Sequence, residues 1–309
     1  RIHKERAMPG KQINVRISAM KAEITTADVD AIVVNLFEGV KKPGGATGAV
    51  DKALKGALVD LIKDQEFSGK RGQISQIRTL GNLTAKRVII VGLGKQSLFS
   101  ADVVREISGS LARYLRRVGV RTAATIVHGS GIGGLDPEDS ALAMTEGTML
   151  GLYEFKRYKS QKNEDSDSNL ESFLILETDP HRLKAIEQGI ARGTILANAV
   201  AVARDLVNEP ANVVNPVKMA EEATQIAAAT GLGITILNRE DMIENEMGAM
   251  LAVTAGSVNE PKLIVLEYQG DPGNPDNNIA IVGKGITFDS GGISLKPSAS
   301  MWEMKGDMS

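Results

Sequence analysis

The densest set of chemically able side chains in the 309-residue chain lies near its C-terminal end, where Lys284, Asp289, Lys296, Met304 and Asp307 fall within one glycine-rich string. The string follows an apolar run at 279–282. Ligand sites in α/β sheets form at the carboxyl ends of strands, so an apolar strand running into glycines is a place to expect one. Asp289 precedes Gly291 and Gly292, in a turn whose backbone can approach another group closely. Asp307 offers a second carboxylate from a separate segment. Two aspartates without a histidine favour a hard or borderline divalent cation. A lysine can join them only with a neutral amine, a state promoted by a low-dielectric site and adjacent cations. The same residues also read as a solvated surface turn, because Asp and Gly are ordinary turn formers. Met304 reads equally well as core packing.

Composition narrows the chemistry further. The absence of cysteine removes disulfides, thiolate metal sites and cysteine nucleophiles, and three histidines at positions 3, 128 and 181 are too scattered for a histidine cage. Hydrolytic chemistry must then rest on carboxylates, lysines, hydroxyls or a metal held by them. With 36 basic against 38 acidic residues the net charge is −2, which argues against nucleic-acid binding through bulk charge. A 42% hydrophobic, 24% charged chain is of ordinary globular type, and no apolar run approaches membrane-spanning length. The length suits about two domains.

Those side chains need a scaffold, and the pattern predicts a mixed α/β one. Strands are expected at 12–18, 31–35, 87–91, 122–128 and 172–176, with helices around 47–63, 101–118 and 136–158. Asp136 and Pro137 suit the cap and first position of the third helix. Residues 159–169 are polar and charged, as in an exposed loop. A long helix follows, its stripe running Leu183, Ile186, Ile190, Gly193, Ala197, Val200, Ala203 and Val207, with Gly193 and Ala197 leaving room for another element. Asn215 and Pro216 open a helix over 217–230, and apolar runs at 234–237, 263–268 and 279–282 read as sheet strands.

Two glycine-rich segments invite a nucleotide. Gly129, Gly131, Gly133 and Gly134 imitate a dinucleotide fingerprint after a strand, with Glu154 downstream. However, Glu154 falls inside a helix pattern, and Asp136 occupies the helix start where a pyrophosphate needs open amides. A plain glycine turn is the preferred reading. Gly44, Gly45 and Gly48 precede another apparent helix, so a non-catalytic nucleotide or ADP-ribose-binding module stands as an alternative function. A basic patch at Lys156, Arg157, Lys159 and Lys162 is followed at once by the acidic run 164–167, which favours a self-screened loop over DNA binding.

The string from Lys284 to Asp307 resembles the leucyl aminopeptidase (cytosol aminopeptidase) family of dinuclear metallo-exopeptidases. The run Leu206 to Asn212 with Asn215 and Pro216 is similar to that family's entry into the catalytic domain. Glu146, Gly147 and the stretch Tyr153 to Ser160 resemble the end of its N-terminal domain, and Pro261 to Tyr268 a core strand. The resemblance implies a macro-domain-like N-terminal α/β domain over 8–168, then an interdomain helix and the first part of an α/β catalytic domain over 169–309. It implies that Lys284, Asp289 and Asp307 hold two divalent ions, Mn2+ or Zn2+ with Mg2+ or Co2+ also used, and that Asp289 bridges them. Lys296 is implied as the catalytic lysine that stabilises the oxyanion, and Met304 as a lining of the substrate side-chain pocket. The implied activity is release of N-terminal, leucine-like residues from peptides by a cytoplasmic homohexamer, with no membrane or nucleic-acid partner.

One departure bears on activity. The family's remaining Asp and Glu ligands and its catalytic Arg lie in an Asn-Thr-Asp-Ala-Glu-Gly-Arg motif, which these 309 residues lack. Three of five protein ligands and one of two catalytic side chains are present, so this polypeptide alone is expected to bind metal weakly and to show little or no peptidase activity. The basic start at Arg1 lacks the apolar segment of a secretory signal, and the finish at Ser309 has no cap or tail. The chain therefore reads as a piece of a longer protein.

Overall fold

In the computed structural model, residues 13–129, 131, 133–160 and 169–308 are described. The start of the first expected strand, Lys162, the acidic run 164–167 and most of the polar loop lie outside them. The chain divides into two compact units, one formed by 13–200 and the other containing 201–309.

The first unit is built on a six-stranded sheet of β1 (Arg16–Lys21), β2 (Ala31–Phe37), β3 (Ile74–Arg78), β4 (Arg87–Gly94), β5 (Thr122–Ile126) and β6 (Ser172–Glu177). The order is β1-β6-β5-β2-β4-β3, and every neighbouring pair is parallel except β3 with β4. The apolar runs of β2 and β4 are continuous because successive side chains enter opposite cores. Ala31, Val33, Ile89 and Val91 belong to one core, Ile32, Val34, Val88 and Ile90 to the other. The first core is closed by α3 (Ala101–Arg117), α4 (Pro137–Leu152) and the start of α5 (Pro180–Asn208) through Ile107, Leu111, Met144, Ile186 and Ile190. The second is closed by α1 (Gly45–Ala53) and α2 (Ala57–Lys63) through Val50, Leu54 and Leu58.

Most expected elements appear, with instructive differences. The helix expected over 47–63 is two helices, because Lys55 and Gly56 adopt left-handed backbone at φ 57° and 92° and end the first. The strand β3 was not expected: at this antiparallel edge only Ile74 and Ile77 pack inward, so the apolar run is missing. Helix α4 ends at Leu152 rather than 158, as Tyr153 turns to extended backbone. β6 pairs with β1 and β5, so it belongs to this sheet although it follows the boundary expected at 168. Gly193 does permit close approach: a Cβ there would lie 2.7 Å from the Leu142 carbonyl oxygen.

The second unit contains α6 (Pro216–Thr230), β7 (Gly233–Leu237), α7 (Arg239–Glu244), α8 (Gly248–Thr254) and β8 (Leu263–Glu267), with β7 and β8 antiparallel. Asn215 caps α6 by accepting from the Lys218 amide at 2.9 Å, and Gly231 closes it in left-handed backbone at φ 80°. The strand expected at 279–282 is not formed, and Ile279, Ile281 and Val282 are at least 90% exposed. An apolar run states that a segment belongs in a sheet but carries no hydrogen-bonding partner of its own, and β7 and β8 pair only with each other. Among the described residues no helix is long and apolar enough to cross a membrane.

Candidate functional site

The five residues singled out from the sequence are brought together by two short structures. The first is the turn from Asp289 to Lys296. Asp289 Oδ1 accepts the Gly291 amide at 2.8 Å, and the Lys296 amide donates to the Ser290 carbonyl at 3.0 Å. Gly291 takes φ 94°, and a Cβ on it would meet the Ser294 carbonyl oxygen at 2.5 Å, so glycine is required twice over. The turn returns Lys296 to its own start, where Nζ donates to Asp289 Oδ2 at 2.9 Å.

The second is a single 3-10 turn, Met301–Gly306, entered through Ser300 in left-handed backbone at φ 59°. It sets Met304 Sδ 3.5 Å from Lys296 Nζ. Asp307 follows, and its Oδ2 accepts from Lys284 Nζ at 2.5 Å. Lys305 fixes the turn to the end of α5, donating to the carbonyls of Asn208 at 3.0 Å and Glu209 at 3.1 Å. A cation on the last carbonyls of a helix also meets the negative end of its dipole. Sequence reasoning did not find Lys305, since a lysine bound to backbone oxygens about a hundred residues away leaves no local pattern.

Two lysines and two aspartates thus form a charge-balanced group. The Lys296 ammonium, then the Gly291 amide and the charges of Lys296 and Lys284, hold the Asp289 carboxyl below the usual carboxylate range. Asp289 is therefore ionised at neutral pH and only accepts hydrogen bonds. The donor set fits a divalent cation in type: two carboxylates, and an amine on Lys284 that becomes a ligand when it gives up its proton. Among the described residues no group of three or more His, Cys, Asp or Glu side chains converges.

The glycine turn at 129–134 behaves as a turn. Gly129 and Gly134 have φ near 72°, and the Asp136 carboxylate itself caps α4 by accepting the Glu138 amide at 2.8 Å. Ser130 and Ile132 lie outside the described residues. Glu154, the would-be ribose ligand, faces Arg116 and Lys156 at 3.2 and 2.6 Å.

Two family models match the chain in order: the cytosol aminopeptidase family N-terminal domain over residues 33–162, and the catalytic domain of the same family over 201–309. A probable cytosol aminopeptidase of Alkaliphilus metalliredigens is 38% identical over 295 residues, covering 95% of this chain and 58% of that relative. One from Geotalea uraniireducens is 40% identical over 259 residues, covering 84% and 51%. Among solved structures, a bottromycin maturation enzyme, BotP, in complex with Mn is similar at 28% identity and TM-score 0.70, over 91% of this chain and 53% of that one. A variant of tomato leucine aminopeptidase is similar at 28% identity and TM-score 0.67, over 81% and 50%. The chain spans little more than half the length of the relatives it matches.

Proposed function

Because the chain belongs to the cytosol aminopeptidase family, with an N-terminal α/β domain and part of the catalytic domain, we propose that its residues serve metal-dependent release of N-terminal, leucine-like amino acids from peptides. The observation that carries this reading is the convergence of Lys284, Asp289, Lys296 and Asp307 with Met304 against Lys296.

Lys284, Asp289 and Asp307 would hold the two divalent ions, Mn2+ or Zn2+, with Asp289 shared. When bound, such ions anchor a free amine, polarise a carbonyl and make water acidic enough to attack at neutral pH. The side chains do the rest. Asp289 brings its charge without having to lose a proton, whereas Lys284 must release one from Nζ before it can act as a ligand. Lys296 serves as a hydrogen-bond donor. With one proton on Asp289 it has others to donate to the oxygen that becomes negative in the tetrahedral intermediate. The thioether of Met304, in contact with Lys296 Nζ, places a soft apolar surface where a leucine-like side chain would lie. A cytoplasmic homohexamer is the assembly proposed.

A chimera tests the assignment: residues 13–309 replace the matching part of the Alkaliphilus metalliredigens relative. It is expected to hydrolyse a leucyl anilide with manganese stimulation, and Lys296→Ala should lower kcat about 100- to 1,000-fold without weakening manganese binding. An inactive, correctly folded chimera, or full activity in the alanine variant, would sink the assignment. The 309-residue polypeptide by itself is expected to show little or no hydrolysis, and robust turnover by a chain of verified mass would overturn that.

A further inference from the structure

The first unit contains a cleft of about 810 Å3 that no aminopeptidase step uses. It opens where the C-terminal ends of α3 and α4 meet the start of β3. Its walls carry Arg113, Arg116, Arg117, Lys156 and Lys159 against a single carboxylate, Glu154. Glu154 is shared between Arg116 and Lys156. Arg113 donates to the Ser110 hydroxyl at 3.1 Å, and Arg117 lies over the Tyr114 ring at 5.3 Å from its centroid. Among the described residues no carboxylate pairs with Arg113, Arg117 or Lys159.

Helix ends explain part of this charge. Two C-termini bring together roughly one negative charge, and Arg116 satisfies it by donating to the Leu152 carbonyl at 3.3 Å. Among the described residues, which do not include the acidic run 164–167, the remaining excess is about three positive charges facing one concavity. Such an excess is self-repelling unless an anion enters, and a volume of this size is that of a small-ligand site.

We propose that this cleft binds a small polyphosphorylated anion of the size and charge of a nucleoside triphosphate. Arginine forks match phosphate oxygens two at a time, and lysines add charge without fixed direction. The cations converge on one hollow instead of tracking along a face, which suits a compact anion better than a nucleic-acid backbone. The site is separate from the glycine turns at 44–48 and 129–134. It also needs no metal, so its failure would leave the aminopeptidase reading untouched.

Calorimetry of the whole 309-residue chain with inorganic tripolyphosphate, ATP and a short DNA duplex tests it. Tripolyphosphate and ATP are expected to bind with Kd in the range of about 10 to 100 μM at low salt, and the exposed double variant Arg113→Glu/Arg117→Glu should weaken both at least about tenfold. Should charge reversal shift the unfolding midpoint, Arg113→Ala/Lys159→Ala is expected to give the same direction of effect. Tighter binding of ATP than of tripolyphosphate would add the Tyr114 face to the site. Absence of heat with both anions, unchanged affinity in the variants, or tighter binding of the duplex than of tripolyphosphate overturns the proposal.

Discussion

At the scale of single residues, His128 shows what a fold does to a group the sequence analysis set aside. It is fully buried at the end of β5, where Asn35 Nδ2 donates to its Nδ1 at 2.9 Å and Nε2 has no partner. Burial pushes its pKa down to about 4. The unfolded chain takes up a proton near the ordinary value of 6.5, and the folded one refuses it until about 4. The contribution is therefore complete above pH 6.5 and lost as pH falls toward 4, amounting to roughly 3 kcal/mol at the acid limit. Urea unfolding of the wild type and His128→Gln at pH 7 and 4.5 is expected to show a steeper loss in the wild type. Parallel losses would contradict the burial argument. The candidate site was more legible than this histidine. Lys284, Asp289, Lys296, Met304 and Asp307 stand within one short string, so their types and order announced them, whereas His128 acquires its character from tertiary neighbours, among them Asn35, 93 positions away, and Ser140 and Met144 on α4.

Among the elements, the pairing of α3 with α4 depends on missing side chains. A Cβ at Gly147 would lie 2.1 Å from the Arg105 carbonyl oxygen, and one at Gly151 2.5 Å from that of Gly109. Both obstacles are backbone, so relief requires a helix to move. Gly147→Ala gains up to about 1 kcal/mol in helix propensity but incurs a clash worth roughly 1 to 3 kcal/mol. A net loss of stability, read as a lower urea midpoint at unchanged slope, is the expected result. A rise in the midpoint would mean that the helices separate freely. Sequence patterning found α3 and α5, which place apolar side chains on a core, and the Asp136-Pro137 start marked α4, which is buried on most sides. Patterning missed β3, whose edge position leaves polar residues on its open side, and it misjudged 279–282, where apolar character stood without a pairing partner.

Over the whole molecule, the two units differ in how much of their chain is protected. The first buries both faces of β2 and β4 between helices. In the second, 268–300 holds no regular element beyond an isolated bridge between Gly291 and Leu295, and most of its side chains are exposed. Local opening follows such exposure. Brief digestion with a nonspecific protease is expected to cut within 268–300 well before it cuts β2 or β4. Early cuts in β2 or β4, mapped by mass, would reverse this order of protection.

Lys305 gives the candidate centre a timetable. The contact of Lys296 with Asp289 closes a loop of only 7 residues and that of Lys284 with Asp307 one of 23, but Lys305 reaches back across 97 to Asn208. Closing so long a loop costs about 4 kcal/mol of chain entropy before the contact returns anything. The local pairs can thus form early and remain adrift until the lysine docks on α5. The chain's single tryptophan, Trp302, sits in the turn that Lys305 fastens. Intrinsic tryptophan emission in this protein accordingly reports on the turn at the candidate site as it docks on α5, and not on collapse of the six-stranded sheet.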